Sequence, residues 1–213
     1  TLDGSIEVML VEITNKAGHE IEITPVGVIP IYGRSADNIR DHRHVTSLLH
    51  RIKTTEYGVE VTPTLSFDER GHQKNNISYF VYGATGEEGK PQGFYPTVED
   101  FIGEGGSFLI PEAVRTDKKV CSSGTEMQGK EAVGAIRFEK KTVKPGETIS
   151  YIMLAGLTDR DSDINKLTKK YRTATAVKEE LAAVKQHWID KVNISFEPGD
   201  SVSKLIFTLS IQC

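Results

Sequence analysis

Period-two alternation of apolar and polar residues recurs from Ser5 to Leu157, and helix-forming composition replaces it after Thr158. Segregated elements of this kind exclude an alternating βαβ chain and predict antiparallel sheets followed by helices. In SIEVMLVEIT (5–14), Ile6, Val8, Leu10 and Ile13 fall nearly in step. Asn15-Lys16-Ala17-Gly18 supplies turn chemistry, and His19–Ile31 resumes with β-branched residues, which predicts a hairpin with a long second arm. Further strands are predicted over His44–Lys53, Tyr57–Phe67 and Ile77–Tyr82, with Pro63 marking an edge or a bulge. The pattern returns at Ala132–Glu139 and Thr148–Leu157, joined by the turn Lys144-Pro145-Gly146-Glu147.

Residues 83–130 are rich in glycine and read as a long excursion. One short helix is expected there at Thr97–Ile102, with Thr97 as its cap and Asp100 three residues on. Past Thr158, helices are predicted over Asp163–Arg172 and Thr173–Val192. In the second, Val177, Leu181, Val184 and Trp188 make one apolar stripe, read as packing. A strand-like Asn193–Phe196 follows, then Pro198-Gly199-Asp200 and a last helical segment, Ser201–Cys213, apolar on most sides. The fold class is mainly β: an antiparallel β-sandwich followed by C-terminal linker helices.

The chain has 213 residues, 38% hydrophobic and 26% charged, with a formal charge of −4. That balance offers no general means of neutralising phosphates and argues against nucleic acid as a partner. No window approaches the roughly 18 apolar residues of a membrane span. Thr1-Leu2-Asp3-Gly4 leads straight into a strand pattern, unlike a signal peptide. Cys121 and Cys213 follow neither metal nor disulfide spacing, which fits a reducing compartment. The expectation is a soluble cytoplasmic protein. The missing initiator Met adds the expectation of an internal fragment, although processing also removes Met.

The densest polar cluster runs from Tyr32 to His44 and holds Arg34, Arg40, Arg43, Asp37, Asp41, His42 and His44. It reads either as a solvated loop with internal Arg–Asp pairing or as a recognition loop. In the second case guanidinium forks hold phosphate or vicinal hydroxyls in fixed geometry. A metal set of His42, His44 and His50 requires a regular strand, and Arg43 beside it opposes a cation. A second cluster, Phe94–Ser107, carries Glu99, Asp100 and Glu104. These are either general acid–base carboxylates, as in glycoside hydrolysis, or the solvated face of a short capped helix. Cys121, in a flexible stretch, reads as a passive thiol.

Gly27–Ile52 (GVIPIYGRSADNIRDHRHVTSLLHRI) resembles the non-catalytic sandwich domain of the inverting glycoside phosphorylases. These include cellobiose, cellodextrin and 1,2-β-oligoglucan phosphorylases and the phosphorylase-like part of cyclic β-1,2-glucan synthases, formerly glycosyltransferase family 36. Ile6–Ile31, Phe94–Pro111 and Val143–Leu157 look similar to further stretches of that domain and occur in the expected order. Trp188–Gln212 looks like the family's linker into its barrel. The run RDHRHVTSLLHR resembles the oligoglucan phosphorylase branch.

The resemblance implies a galactose mutarotase-like supersandwich, incomplete because its first strands would precede Thr1. It implies a β-sandwich segment over 1–158, a helical linker over 159–197 and the start of a truncated (α/α)6 barrel over 198–213. The parent reaction is then phosphorolysis of β-linked gluco-oligosaccharides with inversion, with inorganic phosphate as co-substrate and no cofactor or metal. The catalytic aspartate would lie beyond Cys213, so this chain has no catalytic residue of its own. Arg34, Asn38, Arg40, Asp41, His42 and His44 are expected to bind substrate by shaping the sugar pocket of a neighbouring subunit in a homo-oligomer. The remaining partner is the rest of the parent polypeptide. The alternatives are a free-standing carbohydrate-binding sandwich and an independent hydrolase using Glu99, Asp100 or Glu104.

Overall fold

A computed structural model describes residues 1–2, 4–33, 43–68 and 71–192. The chain opens with β1 (Ile6–Thr14), β2 (Ile21–Ile23) and β3 (Val26–Ile31), then the short helix α1 (Arg43–Ser47). Five strands follow: β4 (Arg51–Thr54), β5 (Gly58–Val61), β6 (Leu65–Asp68), β7 (Gly71–Lys74) and β8 (Ile77–Thr85). The excursion contains β9 (Gly93–Thr97), α2 (Val98–Ile102), α3 (Glu112–Arg115) and β10 (Glu126–Gln128). β11 (Ala132–Arg137), β12 (Lys141–Val143) and β13 (Thr148–Asp159) complete the strands. Helices α4 (Ile164–Thr168) and α5 (Ala174–Val192) come last, with a 3₁₀ turn over Lys169–Tyr171 between them.

The main sheet is antiparallel, in the order β1-β13-β8-β5-β4-β10. A smaller sheet, β3-β11-β9, packs on one of its faces. Because side chains alternate across a strand, β8 and β13 serve two cores at once. Val81, Tyr151 and Met153 face the small sheet, where they meet Phe94, Ile136 and Phe138. Phe80, Tyr82, Ile152 and Leu154 face the other way and are covered by Ile164, Tyr171 and Val177 of the helical layer. β11 does the same for the small sheet: Ile136 points inward, while Val133 and Ala135 pack under Tyr95, Phe101 and Ala113 of the excursion. The result is four layers: helices, large sheet, small sheet, excursion. Fully buried residues such as Val59, Ile136 and Leu154 each contribute about 1.5–3 kcal/mol of burial.

Two glycines permit this stacking. A Cβ on Gly134 would lie 2.2 Å from the Cβ of Val81 in the facing sheet, so only glycine lets β11 approach β8 this closely. The pairing of β11 with β9 also shifts register between Ala132 and Ala135, around that glycine. Gly146, at φ 77°, is the left-handed third residue of the Lys144–Glu147 turn, which closes with Glu147 N donating to Lys144 O at 3.0 Å.

Three expectations are corrected. β1 forms no hairpin with the following segment: it pairs with β13, β2 pairs with β12, and β3 with β11. The Asn15–Gly18 turn instead docks on the Lys144–Glu147 turn, through Asn15 N to Glu147 O and Gly146 N to Asn15 O. The strand expected over His44–Lys53 begins only at Arg51; its first part is α1 and a turn. Tyr57–Phe67 is two strands, β5 and β6, with Pro63 in the break. The expected cap is present: Thr97 Oγ1 accepts from Asp100 N at 3.1 Å and starts α2. Asp163 likewise caps α4 through Lys166 N at 3.0 Å. The segments Asn193–Phe196 and Ser201–Cys213 lie outside the described residues.

Candidate functional site

The structure describes both roots of the charged loop. On the N-terminal side β3 ends at Ile31, buried, and Gly33 packs so tightly that a Cβ there would sit 3.0 Å from His50 Nε2 and 3.1 Å from Pro63. On the C-terminal side α1 is anchored by Thr46 and Ser47, both buried. The turn after it closes with Leu49 N to Thr46 O and His50 N to Ser47 O. The carbonyl of His50 then accepts from Gly129 N, and that of Leu49 from Thr64 N. Both ends of the loop therefore meet at one corner of the sandwich, beside His50.

His50 is 3% exposed, and its Nδ1 bonds the Lys130 carbonyl at 3.1 Å. Burial pushes its pKa below the ordinary histidine value, opposed by the carbonyls of Lys130 and Gly33 and by the charge of Glu131. The depression beside it is lined by Pro30, Tyr32, Thr46, Phe108 and Glu131, and its volume of about 20 Å³ admits one water molecule and no sugar. Around it stand exposed apolar residues: Tyr32, Val45, Leu48, Phe108 and Leu109.

Of the residues expected to bind substrate, Arg34, Asn38, Arg40, Asp41 and His42 lie outside the described residues. The backbone of His44 belongs to α1. The strand geometry required for a His42–His44–His50 metal set is therefore absent at His44, which stands on a helix, with a turn before His50.

Two carboxylates of the second cluster, Glu99 and Asp100, are committed to structure, while Glu104 is exposed. Glu99 takes a 2.7 Å hydrogen bond from Lys130 Nζ, and that bond holds its carboxyl below the usual range. Asp100 accepts from Thr97 Oγ1 at 2.8 Å, closing the cap on itself. Lys118 lies 3.9 Å from the other oxygen of Asp100 and donates to its backbone carbonyl at 3.1 Å. A glycosidase acid needs a raised pKa in a cleft, whereas the Glu99 carboxyl is lowered. The Cys121 thiol is pushed up, chiefly by burial, which fits a passive role.

Alternation alone did not reveal a wider polar depression on the outer face of the large sheet. Arg51, Lys53, Glu60, Thr62, Glu126 and Gln128 line about 480 Å³ of it. A neighbouring hollow of about 290 Å³ shares Lys53 and Glu60 and reaches Asp163 and Asn165 of the α4 start. The register puts Glu60 and Glu126 on either side of Lys53, so the charges offset one another within the sheet. The Tyr82 hydroxyl donates to Glu60. Its pKa is driven up first by burial and then by that carboxylate.

The stripe read as packing on α5 is corrected. Val177 is buried on the large sheet and Val184 is half-buried, but Leu181 and Trp188 are exposed. Among the described residues no helix is long and apolar enough to cross a membrane.

No curated protein matches the chain. The profile of the Glycosyl hydrolase 94 supersandwich domain matches residues 1–174. That span covers the main sheet, the small sheet, the excursion and α4. The double-sided β8 and β13 and the two stacked sheets are what such a sandwich requires. The chain therefore belongs to the glycosyl hydrolase 94 family, through its supersandwich domain.

Proposed function

We propose that this chain is the substrate-shaping, non-catalytic part of an inverting glycoside phosphorylase acting on β-linked gluco-oligosaccharides, with inorganic phosphate as co-substrate. Residues 1–158 are its β-sandwich segment, 159–197 its linker and 198–213 the start of its (α/α)6 barrel. The observation that carries this reading is the rooting of the Tyr32–His44 loop. Gly33 and α1 tie both its ends to the buried His50 corner, and that corner has no room for a sugar of its own. Rigid scaffolds of this kind carry recognition segments. Arg34, Asn38, Arg40, Asp41, His42 and His44 then bind sugar hydroxyls in the pocket of a neighbouring subunit. The pairing of Glu99 with Lys130 is a second support, since it holds the Glu99 carboxyl below the usual range and unsuited to donate a proton.

The test is phosphate release by the parent enzyme from α-glucose 1-phosphate with cellobiose or sophorose as acceptor. Arg40→Ala is expected to raise the acceptor KM about tenfold or more, the cost of a lost charged hydrogen bond of about 1.5–3 kcal/mol. The 213-residue chain by itself is expected to turn over neither sugar. Unchanged acceptor kinetics in Arg40→Ala, or hydrolysis by the short chain, would overturn the reading.

A further inference from the structure

The face of the large sheet that carries Phe80, Tyr82, Ile152 and Leu154 is covered over β8 and β13 by the helical layer. Beyond α4 the same face continues across β5, β4 and β10, and there the sequence turns polar. Side chains alternate across a strand, so Ile52, Val59 and Val61 enter the core while Arg51, Lys53, Glu60 and Thr62 point the other way. The register stacks them in two cross-strand rows. Glu126, Lys53 and Glu60 stand side by side in one. Gln128, Arg51 and Thr62 form the other, with Thr62 N donating to Arg51 O at 2.9 Å.

Opposite charges on neighbouring strands can pair across a ladder. These do not. Lys53, between two carboxylates, forms no ion pair among the described residues, and the side chains of Glu126 and Gln128 make no hydrogen bond there. Glu60 accepts from the Tyr82 hydroxyl through Oε1, which leaves Oε2 open. The groups instead line the hollow of about 480 Å³. Through Lys53 and Glu60 it joins the hollow of about 290 Å³ against the α4 start, where Ser162 adds a hydroxyl. The groove thus runs across the strands, from β10 to α4, and shares no residue with the Tyr32–His44 loop.

The lining selects the ligand. Two cations, Arg51 and Lys53, are balanced by two carboxylates, Glu60 and Glu126, so neither an anion nor a cation gains net attraction. Acceptors flank a donor in both rows, which suits a neutral ligand rich in hydroxyls, since each hydroxyl both donates and accepts. Neighbouring strands lie about 4.8 Å apart, near the advance of one sugar unit along a β-linked glucan, so successive units meet successive strands. We propose that this groove is a second, non-catalytic sugar site, which binds a β-linked gluco-oligosaccharide lengthwise across β10, β4 and β5 through Glu126, Lys53 and Glu60. The choice of glucan rests on the phosphorylase reading above.

Amide chemical-shift mapping of the 213-residue chain, titrated with cellotetraose and with a β-1,2-linked glucotetraose, tests this. One of the two should move the amides of β4, β5 and β10 and leave those of Glu99 and Asp100 in place. Lys53→Met, which keeps the apolar stem of an exposed side chain, and Glu126→Ala should each weaken binding about tenfold, the effect of losing one charged hydrogen bond. Circular dichroism checks that both variants fold. Inorganic phosphate should not move the groove amides. Absence of shifts in the groove with either glucan, undiminished binding in either variant, or a response to phosphate in place of sugar overturns the proposal. A parent enzyme that releases no phosphate, alongside intact groove shifts, would instead refute the phosphorylase reading and leave the groove as a glucan site.

Discussion

Gly134 and His50 show how single positions govern this sandwich. At Gly134 the facing Val81 leaves no space for a methyl group, so Gly134→Ala should destabilise the fold by about 1–3 kcal/mol through overpacking, read as a lower denaturant midpoint at unchanged slope. His50 is buried neutral, with its pKa lowered by desolvation. Its stabilising effect is present above the unfolded value of about 6.5 and is lost as pH falls from there through the lowered folded value, because the unfolded chain binds the proton more readily. Melting temperature should accordingly fall between pH 7 and pH 5 in the wild type. The fall should be smaller in His50→Asn, which starts lower because the bond to the Lys130 carbonyl is weakened. Equal pH slopes in the two proteins would refute that assignment. A histidine after a charged loop is visible in the sequence; that it is the buried peg of the loop is not, because Lys130 and Gly33 come from distant parts of the chain.

Helix starts were legible and strand partners were not. Thr97 and Asp163 cap through side-chain oxygens three residues from the amides they bind, a local geometry that residue type and spacing determine. Thr97→Ala should cost about 1 kcal/mol and loosen α2 over the Phe101 core, measurable by faster exchange of the Asp100 amide. The helical layer is held by Arg172, 3% exposed, whose Nη2 donates to Asn165 O and Thr168 Oγ1 at 2.9 Å each while its guanidinium stacks 3.6 Å from the Tyr57 ring. Its backbone carbonyl also accepts from Glu88 N. Arg172→Ala should destabilise by about 1–3 kcal/mol and increase proteolysis ahead of α5. Nothing in the stretch Lys169–Arg172 marks one of its basic residues for burial. The choice is made by Tyr57, more than a hundred residues earlier. The β1 hairpin failed for a related reason: turn chemistry at Asn15–Gly18 says that the chain turns, while the strand it joins depends on which apolar face needs cover.

For the whole molecule, the two-sided strands β8 and β13 couple the helical layer, both sheets and the excursion, since their opposite faces belong to different cores. Unfolding should be a single cooperative transition: far-ultraviolet dichroism, which reports helices and strands, and tyrosine absorbance, which reports buried Tyr82, Tyr95 and Tyr171, should coincide in midpoint. An earlier loss of helix signal would show that the C-terminal layer is a separate unit. The sequence by itself determined the strands ahead of the C-terminal helices, the Thr97 cap and the Lys144–Glu147 turn, because each rests on periodicity or on contacts within a few residues. Only the tertiary structure decided that β1 lies beside β13, that Glu99 is spent on Lys130, and that Val177 is buried while Leu181 and Trp188 of its stripe are exposed. Each of these depends on residues far apart in the chain meeting to bury a shared face, and alternation specifies a face without specifying its partner.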